Sequence, residues 1–413
     1  MNNSIKYLLV IASLLLLSCT SQDPLQGGQS TEVDQSDPSS PLKIQWATRL
    51  EVDREVVGSN YNQEYGDYLL ATGDIGDPPT IYAFHKETGN LDWKYVHDGV
   101  VKHEINTSIM ANAIYIGMCS DGIIGYDTDK NSILWEVNFD TFDLLSAFDM
   151  TVLNGYVYIV ATRNYNSISE ASVVFELNPL SGELRELYDS QVYYLSPVAV
   201  ETINGNTTFY CNEIPRTENP LKPEDMFQNI ISVDAATGEL NWRYEMVTDS
   251  FASNLIHPPV VYEDIVITGG FSNIYAFDAN TGEKLWQYDF DYPWAVWNNT
   301  NHLIYDDRLY VNNGQRDVTC LNPRTGELIW NNPQGGANCS DNMVYYEQED
   351  LLVFSSWGYG SVMVLDALTG DAIHQELPYA NSNYTNDVVY DEALDMFFTT
   401  TYKHAIGFTV SRP

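Results

Sequence analysis

The stretch Ile274–Trp286, IYAFDANTGEKLW, returns along the chain at a nearly fixed interval, and this recurrence restricts the fold more than any other feature. Its relatives are IYAFHKETGNLDW (81–93), IIGYDTDKNSILW (123–135), VVFELNPLSGELRE (173–186), IISVDAATGELNW (230–242), VTCLNPRTGELIW (318–330) and VMVLDALTGDAIH (362–374). The turn glycine falls at Gly89, Gly182, Gly238, Gly282, Gly326 and Gly370, with Asn131 in the second copy. From Gly238 onward the step is 44 residues, the length of one small four-stranded antiparallel sheet. Within each copy the residues alternate with period two, as a strand packed between neighbouring sheets requires. The Asp-x-x-Thr-Gly segment then turns the chain, because Asp278 can bond the backbone ahead of it and Gly282 can take a positive φ. Asn131 is the usual substitute for glycine in that conformation.

Strands named A to D from the axis outward make each copy a C strand, a tight turn and a D strand. Seven such pairs are complete. Lys43–Arg49, KIQWATR, reads as a D strand with no C strand before it, and His404–Val410, HAIGFTV, as a C strand with no D strand after it. Together they make an eighth unit. The chain is therefore expected to be all-β, an eight-bladed β-propeller of four-stranded antiparallel blades, closed by pairing its N-terminal strand with the C-terminal blade so that no sheet edge stays open.

Residues 1–18 carry one lysine and an apolar run, Tyr7–Leu17, too short to span a bilayer, which reads as an export signal. The run ends Leu16-Leu17-Ser18-Cys19 and resembles a bacterial lipobox. That resemblance implies lipidation of Cys19 and, with Thr20 rather than Asp following it, a periplasm-facing outer-membrane lipoprotein. Two acyl chains suffice for stable anchoring. Residues 19–42 are rich in Gln, Ser, Asp, Gly and Pro and read as a disordered tether, leaving 43–413 as the propeller.

The repeat signature resembles the pyrroloquinoline-quinone (PQQ) propeller repeat, and eight blades behind a lipobox resemble the BamB-type outer-membrane assembly lipoproteins. The resemblance is specific for fold and much less so for function. Quinoprotein dehydrogenases of this fold carry two adjacent cysteines under the cofactor. Here Cys19, Cys119, Cys211, Cys320 and Cys339 are all separated. Cys320 takes the place of Ala276 in the neighbouring copy, while Cys119 and Cys211 read as the ends of B strands two blades apart, so unpaired thiols are expected although export would permit disulfides. The seven histidines show no ligand spacing, and no hydrolase, phosphate-loop or EF-hand motif occurs. The expectation is no enzyme, no metal and no cofactor, with a quinone-dependent dehydrogenase the least favoured class.

The net charge of −38 repels nucleic acid. It reads as a solvated acidic surface, with a basic partner as the functional alternative. Six of the nine tryptophans occupy repeat positions: Trp46, Trp93, Trp135, Trp242, Trp286 and Trp330. Trp294 and Trp297 fall in the D–A connection entering blade six and Trp357 in the B–C connection of blade seven. With Phe271, Tyr292, Arg316 and Tyr359 from connections on the same side, they have the composition of an interaction hot spot, packing between loops being the plainer reading. Asn254, Asn298, Asn342 and Asn386 recur every 44 residues before strand A, either as turn caps or as a polar ring at the channel mouth. The longest insertions, Asn212–Gln228 and Thr162–Ala171, leave blades four and three on that face. Two function classes stay open. One is a non-catalytic, membrane-anchored scaffold of the cell envelope that engages a protein partner in outer-membrane protein assembly. The other is a propeller that binds a small solute or glycan on the same tryptophans.

Overall fold

The computed structural model describes residues 40–49, 63–72, 78–166, 169–191, 193–203, 205–215, 227–247, 258–270, 273–291, 302–312, 317–333, 343–356, 361–375, 387–401 and 404–413. These form eight antiparallel sheets, each built from strands consecutive in the chain, except that the last sheet takes its fourth strand from Leu42–Arg49. One turn of 3-10 helix, Phe139–Phe142, is the sole helical element among the described residues. In the closing blade Leu42 pairs with Val410 and Arg49 with His404, and the strand starts one residue before the expected Lys43. Leu42 is buried with Phe397, Ile406 and Phe408, so closure is an apolar seam as well as a hydrogen-bonded one.

Blade five shows how the sequence makes a blade. Strands B (Ile265–Gly269) and C (Asn273–Asp278) lie between neighbouring sheets and are buried almost throughout, whereas in strand D (Lys284–Asp289) Trp286 alone is buried. Asp278 Oδ1 accepts from the backbone N–H groups of Asn280 and Thr281, at 3.0 and 2.8 Å, and Gly282 closes the turn at φ +72°. Asn131 holds the same conformation at φ +53°. After the turn a bulge leaves Leu285 unpaired, since Phe277 faces Lys284 and Ala276 faces Trp286. The bulge recurs in blades one, two, four, six and seven. Such an extra residue bends and twists its strand locally.

The tryptophan docks into the next blade. Trp286 Nε1 donates to Pro323 O (3.0 Å), Trp242 to Ala279 O (2.9 Å), Trp330 to Ala367 O (3.1 Å), Trp135 to Pro179 O (2.7 Å) and Trp46 to Lys86 O (2.7 Å). Each ring lies against the turn glycine of that blade. A Cβ on Gly326 would come within 2.6 Å of the Trp286 ring. Room on its own blade comes from a small partner on strand C: Ala83, Gly125, Ser232, Ala276, Cys320 or Gly407 faces the tryptophan. Where the tryptophan is missing the partner is larger, Phe175 facing Glu186 and Val364 facing His374. In blade three Arg185 supplies the donor instead, its Nη2 lying 3.3 Å from Ala235 O.

Three expectations change. Cys211 lies inside a long B strand, Asn206–Pro215, rather than at its end, because that strand continues into the expected insertion. The second foot of the insertion is strand too, since strand C starts at Phe227. The blade-three insertion is largely a lengthened hairpin, with Asn164 paired to Glu170, because the backbone pairing of strands B and C continues outward. Cys119, Cys211 and Cys320 are buried free thiols in blades two, four and six.

Trp286→Ala should destabilise the chain by about 3–5 kcal/mol, the cost of a large buried cavity, with loss of the bond to Pro323 included. A chemical-denaturation midpoint close to that of the parent would show that the dock carries little of the stability.

Candidate functional site

Phe271, Tyr292, Trp294, Trp297, Arg316, Trp357 and Tyr359, the four periodic residues Asn254, Asn298, Asn342 and Asn386, and Cys19 all lie outside the described residues, as does Cys339. The strand ends that carry the aromatic segments are described. Gly269, Asp289, Asn312 and Ser356 end strands B or D of blades five, six and seven. These blades are neighbours in the ring, and the strands end on one face, opposite the A–B and C–D turns. The two kinds of turn are bonded to each other on the far face, as in Ala279 N–H to Asp264 O (2.8 Å) and Ala367 N–H to Asp350 O (2.9 Å).

Beneath this face the blade interior changes from apolar to polar. At one register position of strand B, opposite Ile81, Ile230, Val318, Val362 and Ala405, stand Thr72, Asn212, Asn312, Ser355 and Thr400, all buried. Between blades four and five the groups bond across the seam. Asn212 Nδ2 donates to Thr268 Oγ1 (2.9 Å), and Gln228 Nε2 donates to Asn212 Oδ1 and Gly269 O, both at 3.2 Å.

Next to it Glu213, with no exposed surface, accepts from Arg243 Nε and Nη2, both at 2.8 Å, from Asn229 Nδ2 (3.0 Å) and from the Tyr188 hydroxyl (3.1 Å). Burial, and then the Glu213 charge, pushes the Tyr188 hydroxyl well above its ordinary range. A buried carboxylate supplied with four donors, three from strands C and D of its own blade and one from Tyr188 on strand D of blade three, holds strand register. It thereby fixes both feet of the segment between Pro215 and Phe227. Sequence reasoning passed over this cluster. Its signal was Asn212-Glu213 on a B strand that is otherwise apolar from Phe209 to Cys211, faced by Gln228-Asn229 on strand C.

The D–A connection from blade one to blade two is described throughout and is pinned by carboxylates. Glu136 Oε2 accepts from Val100 N–H (2.8 Å) and Val101 N–H (3.3 Å) and lies 3.0 Å from Nε2 of the buried His97, whose Nδ1 is 3.1 Å from the Tyr95 hydroxyl. Asp121 accepts from Lys102 N–H (2.8 Å) and His103 N–H (3.3 Å) and pairs with the His103 ring (3.0 Å). Burial works to raise both carboxyls, but these bonds and the histidines outweigh it and hold both below their ordinary values of 3.8 for Asp and 4.5 for Glu. No group of three His, Cys, Asp or Glu among the described residues is placed to hold a metal ion.

Fold and repeat together define a PQQ-like eight-bladed β-propeller. A family model described as outer membrane protein assembly factor BamB matches residues 223–394, from the second half of blade four to the start of blade eight. Among solved structures, BamB from Moraxella catarrhalis is 14% identical at a TM-score of 0.57, over 90% of this chain and 98% of that one. The computationally designed Ika8 protein is 14% identical at 0.61, over 87% and 98%. The quinohemoprotein alcohol dehydrogenase of Comamonas testosteroni is 9% identical at 0.67, over 90% and 78%. At these identities the likeness is one of fold. No curated protein matches the chain in sequence. A quinone of the dehydrogenase kind does not fit the cysteines: no two of the five are adjacent in sequence, and the three described lie in alternate blades. No described helix is long and apolar enough to cross a membrane.

Arg243→Met leaves Glu213 buried without its guanidinium and should cost about 3–5 kcal/mol. The double variant Glu213→Gln/Arg243→Met should recover much of that, and additive losses in the thermodynamic cycle would deny the coupling. Asp121 and Glu136, with lowered carboxyl pKa values, bind protons more readily in the unfolded chain. Their contribution is complete above pH 4.5, the higher of the two ordinary values, and is lost as the pH falls further. Asp121→Asn/Glu136→Gln should therefore flatten the acid limb of the melting temperature against pH; an unchanged limb would assign acid unfolding to other groups.

Proposed function

We propose that the chain is a non-catalytic, membrane-anchored interaction scaffold of the cell envelope, periplasm-facing at the outer membrane, which takes part in outer-membrane protein assembly. The observation that carries this reading is the match of residues 223–394 to the family described as outer membrane protein assembly factor BamB. It falls on the blades whose connections hold Trp294, Trp297 and Trp357. The polar floor under that face supports the reading further, because buried amides and hydroxyls bonded across the seam of blades four and five fix the strand ends from which connections leave. Large aromatic side chains with one arginine are the groups that dominate protein interfaces. Anchoring rests on the lipobox-like Leu16-Leu17-Ser18-Cys19.

Trp297→Ala and Trp357→Ala should each weaken recovery of the cross-linked envelope partner by about 2 kcal/mol or more in affinity, with melting temperatures near the parent's. Cys19→Ala should move the chain to the soluble periplasmic fraction. Removing the protein from its bacterium should lower the amount of folded outer-membrane β-barrel protein, read by heat-modifiable mobility. Unchanged barrel levels together with full partner recovery by the tryptophan variants would reject the scaffold. Saturable quenching of parent tryptophan fluorescence by an oligosaccharide, lost in the same variants, would put the glycan-binding reading in its place.

A further inference from the structure

The A–B turns do not carry the same chemistry around the ring. In blades two to four they are uncharged: Asn112-Ala113, Asn154-Gly155 and the turn that Gly205 completes between Ile203 and Asn206. In blades five to seven they are Glu263-Asp264, Asp306-Asp307 and the Glu347–Asp350 stretch, largely exposed. The turns of blades eight and one carry acids as well, Asp391, Glu392 and Asp395 in the one and Asp67 in the other, so the uncharged turns are confined to blades two to four.

Within the acidic arc, between blades six and seven, lies an open cleft of about 400 Å³ lined by Tyr305, Asp306, Tyr345, Glu347 and Asp350. The rings of Tyr305 and Tyr345 stack, with centroids 4.0 Å apart and planes 18° from parallel. Their hydroxyls donate to Glu347 and Asp350, the latter at 2.6 Å, so each carboxylate is held in place with its other oxygen left to accept again. The nearby guanidiniums are already engaged, Arg308 with Asp306 (2.8 Å) and Arg324 with Glu263. Three carboxylates thus face the cleft against one arginine. The same carboxylates do not form a metal-holding group. Fixed carboxylates beside tyrosine rings suit an organic cation, which gains from the charge and from the ring quadrupole together.

We propose that this cleft and the acidic turns around it are a docking surface for a Lys/Arg-rich segment of a partner polypeptide, one basic side chain entering between the tyrosines and the carboxylates. The surface is on the face opposite the tryptophan-bearing connections and stands apart from the scaffold reading.

The test uses the whole exported chain and two fluorescent twelve-residue peptides, one alternating Arg and Ser, the other with Gln in place of Arg. Anisotropy at low salt should show saturable binding of the basic peptide alone, weakening as added salt shortens the screening length. The variant D306N/E347Q/D350N should bind at least tenfold more weakly. The control D140N/E183Q/E239Q, with the same change of charge on blades two to four, should stay within twofold. No binding of the basic peptide, or equal losses in the two variants, would overturn the proposal. Should the first variant fail to fold, a photo-reactive basic peptide on the unaltered chain decides: cross-links within residues 305–350 support the cleft, and cross-links confined elsewhere reject it.

Discussion

The structure depends on one contact, repeated: an indole from the outer strand of one blade laid on the turn of the next, its N–H bonded to the first carbonyl of that turn. Two features of the repeat follow from it: the turn glycine has no Cβ where the ring occupies that space, and the residue facing the ring on strand C is small. The departures obey the same logic. Blade three has no tryptophan, and Arg185 reaches the equivalent carbonyl, Ala235 O. Blade seven has none either, and the blade after it has no C–D turn to receive one, because its fourth strand comes from the other end of the chain. Buried tyrosines reinforce the dock, with the Tyr210 and Tyr310 hydroxyls reaching Ala279 O and Ala367 O at 3.2 and 3.3 Å.

Much of this was legible in the sequence because it is local and periodic. The strand alternation, the Asp–Gly turn, the completion of blade eight by 43–49 and 404–410, and the equivalence of Cys320 with Ala276 all follow from residues near one another or in register with a copy. What escaped reading is what no copy repeats. Glu213 and its four donors come together from strands B, C and D of blade four and strand D of blade three, and a single acidic residue among 57 gives no sign of being buried. The Arg185 substitute was hidden for a related reason, since its partner lies in another blade. The lengthened hairpin of blade three reads as an insertion in the sequence because polar residues such as Asn164 and Glu170 interrupt the apolar pattern while backbone pairing carries on. Every aromatic and asparagine singled out for binding lies in connections beyond the described residues, where repeat arithmetic gives the face and the blade and stops there.

The two faces are built on different chemistry. One ends in buried hydroxyls and amides that fix the roots of its connecting segments. The other carries tight turns whose tyrosines and carboxylates link successive blades: Tyr262 to Asp307, Tyr305 to Glu347, Tyr346 to Asp395. The closing strand starts on this second face, where Arg412 Nε donates to Glu349 O (2.8 Å) and Ser411 N–H to Pro41 O (2.8 Å). The chain therefore enters its closing strand at the acidic rim, on the face opposite the outer ends of strands B in blades five to seven.

The pairing of 42–49 with 404–410 also sets an order in time. A bond such as Gln45 to Thr409 spans 364 residues, so the outer strand of blade eight emerges first and waits for its partner to emerge last. Until then blade eight lacks its edge strand, Leu42 and Trp46 have no sheet to cover, and both ends of the array are open to pairing with other chains. Contacts of such long range form slowly and leave aggregation-prone intermediates. For this chain the exposed interval ends only when the last blade is complete, and a chaperone that shields residues 42–49 during that interval would act on the one strand whose loss leaves the ring unclosed.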